Sequence, residues 1–265
     1  MRFKRNGEVA TADTSLANNE IRWNSFAGVI FIIALFFLAQ LLGGLVFALY
    51  FGFTGASETE IKLIYINYLV YVQFGYVLLT EIIVIIGLYL FLKYYKSTFR
   101  TIGLKRPRLR DFGYGLLAVL PYYAVFFLVT IAISAFFPGL DTDQKQEIGF
   151  DNVQGLWPLA ATFLVLVLLQ PLIEEIMVRG FLYSSLKKAF PIVLAALITS
   201  LLFGAAHLAG GGSGGPLYIA AIDTFVLSLF LIYLRERTGS LWASVTLHSI
   251  KNGIAFLALF IFKVG

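Results

Sequence analysis

The sequence contains no cysteine, only two histidines and few charged residues. The absence of cysteine excludes disulfide bonds, thiolate zinc sites, iron–sulfur clusters and a cysteine nucleophile. Charged residues make up 13% of the 265-residue chain, against about 25% in an average soluble protein. Hydrophobic residues make up 59%, more than a soluble globule of this size can bury. The composition therefore predicts an all-α, polytopic transmembrane helical bundle.

Long apolar stretches locate the transmembrane helices. A spanning helix needs about 20 apolar residues, because each adds about 1.5 Å toward a hydrocarbon core of about 30 Å. Stretches of this kind predict a bundle of seven spans, or eight at most. The seven candidate spans are 26–53, 63–92, 114–137, 156–173, 192–207, 217–234 and 241–262.

Basic residues are distributed asymmetrically between the loops. With the N-terminus inside, sixteen of the twenty Lys and Arg residues fall in inner segments and three in outer ones, while Lys251 lies in the last span. Since basic residues favour the cytoplasmic side, this predicts a cytoplasmic N-terminus and an outer C-terminus. The basic run 93–110 is interpreted as a topology anchor that attracts anionic lipid headgroups, and no nucleic-acid partner is expected.

The domain organisation follows from the same pattern. Residues 1–23 are expected to form a polar cytoplasmic tail, since they lack the apolar core and cleavage site of a signal peptide. Residues 24–150 are expected to form a scaffold of transmembrane helices, and residues 151–265 a core that carries the polar motifs. The size and the lack of a eukaryotic targeting signal favour a prokaryotic plasma membrane.

Ionisable residues lie in or beside these apolar stretches. Such residues are costly in a membrane and are rarely retained without a partner or a role. Two of them are the chain's two histidines, His207 and His248. Lys251, the basic residue inside the last span, is expected to pair with Asp223. The full set is Glu81, Glu174, Glu175, Arg179, His207, Asp223, His248 and Lys251.

Three spacings bring polar residues onto shared helix faces. Glu175 and Arg179 stand at i and i+4 in an EExxxR pattern and are expected to form an ion pair that supports Glu174. Phe203 and His207 form FxxxH, while His248 and Asn252 form HxxxN. Glu174 lies sixteen residues before Phe190 and His207 sixteen residues after Pro191. If a turn at 190–191 joins the two helices, both side chains lie at nearly the same depth.

This set can perform hydrolysis. Glu174 and His207 could hold and deprotonate a water molecule, as general bases do. His248 and Asn252 could donate hydrogen bonds to the oxyanion that forms when that water attacks a peptide carbonyl. The predicted reaction is cleavage of a peptide bond at or within the membrane, without an acyl-enzyme and without a cofactor.

The motifs together resemble those of the CPBP family of intramembrane proteases, which includes the CAAX prenyl endopeptidases and bacteriocin-processing proteins. The resemblance rests on EEIMVRGFLYSSL, FGAAH and TGSLWASVTLHSIKN and covers roughly residues 155–260. It implies a glutamate-dependent protease in which Glu174 and His207 activate water. It further implies that His248 and Asn252 bind the oxyanion, and that the substrate is a prenylated protein, a leader peptide or another membrane-associated peptide.

Two other catalytic schemes remain open. Two histidines and a carboxylate could bind zinc and leave one position for water, which would make the protein a zinc-dependent metalloprotease. Ser213 lies in GGSGG and matches the GxSxG pattern of serine hydrolases, although a glycine-rich loop satisfies that pattern almost automatically.

A non-catalytic role is the remaining alternative. Buried Glu81, Asp223 and Lys251 could mark an ion path in a transporter, and the bundle could instead act as an immunity or scaffold protein that only binds partners. No internal repeat typical of transporters is found.

Overall fold

The computed structural model describes residues 21–141, 144, 150, 153–209 and 215–263, with no side-chain description at 65–67. The described part of the chain is helical. Its seven helical stretches are α1 (Ser25–Thr54), α2 (Glu58–Tyr94), α3 (Leu109–Phe136), α4 (Leu156–Ala189), α5 (Ile192–Ala206), α6 (Tyr218–Thr238) and α7 (Trp242–Phe262). The described residues do not include the tail 1–20, the Ser213 loop or the acidic residues Asp143, Glu147 and Asp151 of the segment after α3.

Six of these helices are long and apolar enough to cross a membrane. The predicted all-α transmembrane bundle is therefore confirmed. The predicted span 192–207 differs, because α5 has only 15 residues and measures about 22 Å, less than a hydrocarbon core of about 30 Å. Conversely, α4 continues for 34 residues to Ala189, so the predicted turn at Phe190 and Pro191 is present. His207 thus follows directly on the end of a short helix and is partly buried.

Two main apolar clusters hold the bundle together. One joins α1, α2 and α4, with Leu35, Leu88 and Phe181 among its buried members. The other joins α3, α6 and α7 through residues such as Leu227 and Leu247. A smaller cluster connects α2 with α4. Large apolar side chains elsewhere face outward along the helices, as a lipid-facing surface requires.

Trp23 lies in the protein interior and not at the membrane surface. A tryptophan just before the first helix suggests an anchor at the lipid interface, but Trp23 is fully buried. Its ring stacks on Phe181 at 5.0 Å, and its Nε1 donates a hydrogen bond of 2.8 Å to Ser185 Oγ. The residue therefore packs the start of α1 against α4.

The basic loops meet at one end of the bundle. Lys188 Nζ donates to the carbonyls of Ile21 and Trp23 before α1. Arg235 at the end of α6 donates to the carbonyl of Ile102, between α2 and α3. The segments predicted to be cytoplasmic are thus neighbours in space.

Candidate active site

The Glu175–Arg179 pair forms the buried base of the site on α4. Both side chains are fully buried, and Glu175 Oε1 lies 3.0 Å from Arg179 Nη1. The guanidinium also lies over the ring of Phe203, 4.2 Å from its centroid, in a cation–π contact. The predicted ion pair is therefore present, and it connects α4 to α5.

His248 on α7 lies between the two glutamates. Its Nδ1 is 3.0 Å from Glu175 Oε1, and its Nε2 is 3.7 Å from Glu174 Oε2. Since a carboxylate oxygen can only accept, the short contact requires the proton on Nδ1. The i,i+4 spacing predicts Arg179 as the partner of Glu175. In the structure Glu175 also fixes the orientation of the His248 ring.

Glu174 is the accessible carboxylate of the pair. Its side chain retains 30% exposure, whereas Glu175 retains none. Glu174 can therefore be reached by water, while Glu175 is sealed within protein. Of the two adjacent carboxylates, only Glu174 is open to contact from outside the protein.

His207 occupies the end of α5 and faces the same region. Its Nδ1 is 2.8 Å from the carbonyl oxygen of Phe203, so Nδ1 carries the proton and Nε2 of the neutral ring can accept one. His207 lies within electrostatic range of Glu174 and His248. The Phe203 ring packs against both imidazoles, with its centroid 4.8 Å from that of His207 and 6.2 Å from that of His248. Glu174 therefore lies near His207, as the equal depth predicted from the sequence requires.

Asn252 is held by a backbone group of α4. Its Nδ2 donates a hydrogen bond of 2.9 Å to the carbonyl of Leu166. This carbonyl lies in a wide π-helical turn, Leu164–Leu169, where residue i pairs with i+5. The residue five positions after Leu166 is Pro171, which has no N–H, so the carbonyl remains available. A proline thus provides the acceptor that fixes Asn252.

A second polar network lies beside the site. Lys251 Nζ is 3.0 Å from Asp223 Oδ2, which confirms the predicted pair. The other carboxylate oxygen of Asp223 accepts a hydrogen bond from the buried hydroxyl of Tyr122. The network connects α3, α6 and α7. It also neutralises the charge of Lys251, which lies within electrostatic range of His207.

Glu81 adds a carboxyl group from the N-terminal half. It is partly buried on α2 and lies close enough to Glu174 for the two groups to interact electrostatically. Val77 and Val84 flank it along the helix and belong to the clusters shared with α4. Glu81 therefore faces the site, a position that the sequence motifs did not reveal because α2 carries none of them.

The zinc alternative requires several metal-ligating side chains to lie close together. Among the described residues, no group of three or more His, Asp and Glu side chains is arranged to hold a metal ion. The serine alternative lies outside the described residues, since Ser213 belongs to the segment 210–214.

The segment that carries the site is similar to known proteins. Residues 156–254 match the family described as type II CAAX prenyl endopeptidase Rce1-like. The uncharacterized protein YyaK of Bacillus subtilis (strain 168) is 29% identical over 170 residues, which cover 63% of this chain. The matched segment spans 53% of that relative's length. No solved structure matches the chain.

The matched segment contains α4 to most of α7 and includes each of the six site residues described above, Glu174, Glu175, Arg179, His207, His248 and Asn252. The same residues carry the three motifs that resemble the CPBP family. Residues 156–254 of this integral membrane protein therefore match the Rce1-like family, which is described as type II CAAX prenyl endopeptidase.

Proposed function

We propose that the protein is an intramembrane endopeptidase in which Glu174 and His207 activate the attacking water. The convergence of Glu174, His207 and His248 from three different helices carries this proposal. A carboxylate accessible to water beside an imidazole with a free Nε2 suits proton abstraction. The apolar surroundings strengthen each electrostatic interaction in the site.

The reaction needs no covalent enzyme intermediate. Glu174 takes a proton from water as its oxygen attacks the scissile carbonyl carbon, and the carbonyl oxygen becomes an oxyanion. His248 and Asn252 donate hydrogen bonds to that oxyanion. Collapse of the tetrahedral intermediate breaks the C–N bond, and the proton held by Glu174 or His207 passes to the leaving amine.

His248 can serve this purpose because Glu175 holds it in place. With the Nδ1 proton donated to Glu175, Nε2 points toward the side of Glu174 and the reacting atoms, and it donates to the oxyanion when the ring carries a proton on both nitrogens. A fixed donor requires no reorganisation as charge develops in the transition state, which is the source of oxyanion-hole catalysis. Asn252 is fixed similarly by the Leu166 carbonyl and keeps a second N–H for a substrate.

The substrate class follows from the site's location and the family. A site surrounded by lipid-facing helices suits a peptide segment close to the bilayer, such as a prenylated C-terminus or a membrane-associated leader peptide. The N-terminus is assigned to the cytoplasm because the basic loops share one end of the bundle. The bacterial relative favours a prokaryotic plasma membrane.

The test compares processed peptides in cells that produce the wild type or Glu174→Gln. Loss of a general base lowers turnover by about 10²- to 10⁴-fold, so at least one peptide should be cleaved only with the wild type. Glu60→Gln provides the matched control, because it makes the same change at an exposed carboxylate outside the site. His207→Ala and His248→Ala should act like Glu174→Gln.

Two results would contradict the proposal. Folded Glu174→Gln, His207→Ala and His248→Ala variants that all preserve processing or the cellular phenotype would indicate a binding protein. Loss of cleavage with a chelator, restored by zinc, would instead support the metalloprotease scheme.

A further inference from the structure

Two loops join at the basic end of the bundle, where α6 and α7 meet the segment between α2 and α3. Leu241 N donates to the carbonyl of Gly103, and Trp242 Nε1 donates to the carbonyl of Lys105 at 2.6 Å. Arg235 Nη2 donates to the carbonyl of Ile102. These three bonds fix the backbone of residues 102–105 against the α6–α7 turn.

Four cationic side chains gather at this junction. The guanidinium of Arg235 lies so close to Gly103 that an added Cβ would be 2.5 Å from it. A Cβ added at Gly239 would lie 3.5 Å from Lys105 Nζ. Arg100 and Arg108 lie within electrostatic range of Lys105. Glycine at 103 and 239 thus leaves space in which the cations approach one another.

Two carboxylates, Asp111 and Glu236, act electrostatically on this group of four cations, and each already has another partner. Asp111 is fully buried, and its Oδ2 accepts from the backbone N–H of Arg108. Glu236 is paired with Lys187 at 2.6 Å. Burial, followed by Arg235, Arg108 and Arg100, lowers the pKa of Lys105, while Asp111 opposes this shift. Arg235 Nε is buried and has no hydrogen-bond partner among the described residues.

An anion with several acceptor oxygens would satisfy this arrangement. Phosphate groups suit it, because arginine offers paired N–H donors and lysine a compact charge. The junction lies where a spanning helix ends at Thr238, at the level of lipid headgroups. Beside Arg108, the side chain of Leu109 is 90% exposed and is available to an acyl chain.

The geometry points to a phosphate-binding site formed by Lys105, Arg235, Arg100 and Arg108, which takes the headgroup of an anionic phospholipid or a soluble phosphate. This site is separate from the proposed active site and does not depend on it. Binding would hold the α2–α3 segment to the start of α7, the helix that carries His248 and Asn252.

The experiment uses the full chain in nanodiscs of phosphatidylcholine with increasing fractions of phosphatidylglycerol. Native mass spectrometry measures retained phosphatidylglycerol, and a thermal melt measures the associated rise in Tm. Loss of a charge-assisted hydrogen bond corresponds to about tenfold weaker binding, which is the expectation for Lys105→Gln. Lys105 contributes its backbone carbonyl to Trp242, so the substitution leaves that bond intact.

Arg106→Gln is the matched control, since it removes the same charge from the next residue, which is exposed and is not among the cations that act on Lys105. It should retain binding within about threefold, as expected for a screened surface charge. Arg100→Gln, also at an exposed position, should weaken binding like Lys105→Gln and tests the site independently if Lys105→Gln fails to fold.

The outcomes separate the possible ligands. Specific retention of phosphatidylglycerol that inorganic phosphate does not displace supports a lipid site. Stabilisation by inorganic phosphate in pure phosphatidylcholine, lost in Lys105→Gln, supports the same site with a soluble ligand. Equal losses in Lys105→Gln and Arg106→Gln, or no response to either ligand, would overturn the inference. None of these measurements depends on proteolytic activity, so failure of the proposed function would leave their results unchanged.

Discussion

Glu175 determines how the site is built at the scale of single residues. One oxygen, Oε1, lies 3.0 Å from both Arg179 Nη1 and His248 Nδ1. The second carboxylate oxygen of Glu175, Oε2, has no hydrogen-bond partner among the described residues. Glu175 therefore couples a buried charge pair on α4 to the orientation of an imidazole on α7. A single carboxylate serves both stability and the proposed chemistry.

Two substitutions at Glu175 should separate these roles. Glu175→Ala leaves the guanidinium of Arg179 buried without its partner, which should lower the free energy of unfolding by about 3–5 kcal/mol. Glu175→Gln keeps an acceptor oxygen but removes the charge, so the fold should persist. A hydrogen bond to a charged group contributes about 1.5–3 kcal/mol, so turnover should fall roughly 10- to 100-fold.

Thermal melts in detergent and cleavage of the substrate found with the wild type provide the two measurements. A Glu175→Gln variant with wild-type turnover would show that His248 does not rely on this carboxylate. A Glu175→Ala variant with unchanged Tm would show that Arg179 finds other stabilisation.

At the scale of helices, the position of α7 depends on close contact with α3. A Cβ at Gly115 would lie 2.5 Å from Thr246 Cβ and 2.7 Å from the carbonyl oxygen of Ala243. Helices approach this closely only where a small residue lies at the contact. Gly115 is therefore required to position the helix that carries His248.

Gly115→Ala should accordingly displace α7 and lower stability by about 1–3 kcal/mol, the usual cost of overpacking. Gly113→Ala is the control on the same helix, because nothing lies within 4 Å of its added Cβ. It should keep or raise the Tm, since alanine favours a helix more than glycine does. Equal Tm values for the two variants would contradict the proposed contact.

At the scale of the whole molecule, the arrangement in the membrane makes a direct prediction. Arg106 and Gly139 are exposed and lie just beyond opposite ends of α3. Because the natural chain has no cysteine, Arg106→Cys and Gly139→Cys each create a unique thiol. With the basic end in the cytoplasm, a membrane-impermeant thiol reagent should label only Gly139→Cys in intact cells.

Permeabilised cells supply the control, since both variants should then be labelled. Labelling of Arg106→Cys alone in intact cells would reverse the assigned orientation. Labelling of neither variant after permeabilisation would indicate that the thiols are shielded, which contradicts their exposure in the structure.

The sequence by itself determined the features that depend on local composition and spacing. Low charge and long apolar stretches specify a membrane bundle, because lipid requires apolar side chains and internally bonded backbone. The pair Glu175–Arg179 follows from the i,i+4 geometry of one helix. Counting residues from the turn at 190–191 predicted that Glu174 and His207 lie at one depth, because helical rise is constant.

Only the tertiary structure decided which side chains meet across helices, since rotation and separation of helices depend on packing over the whole bundle. The bond of His248 to Glu175, the use of the Leu166 carbonyl by Asn252 and the burial of Trp23 all depend on such packing. The position of Glu81 close to Glu174 also depends on helix packing.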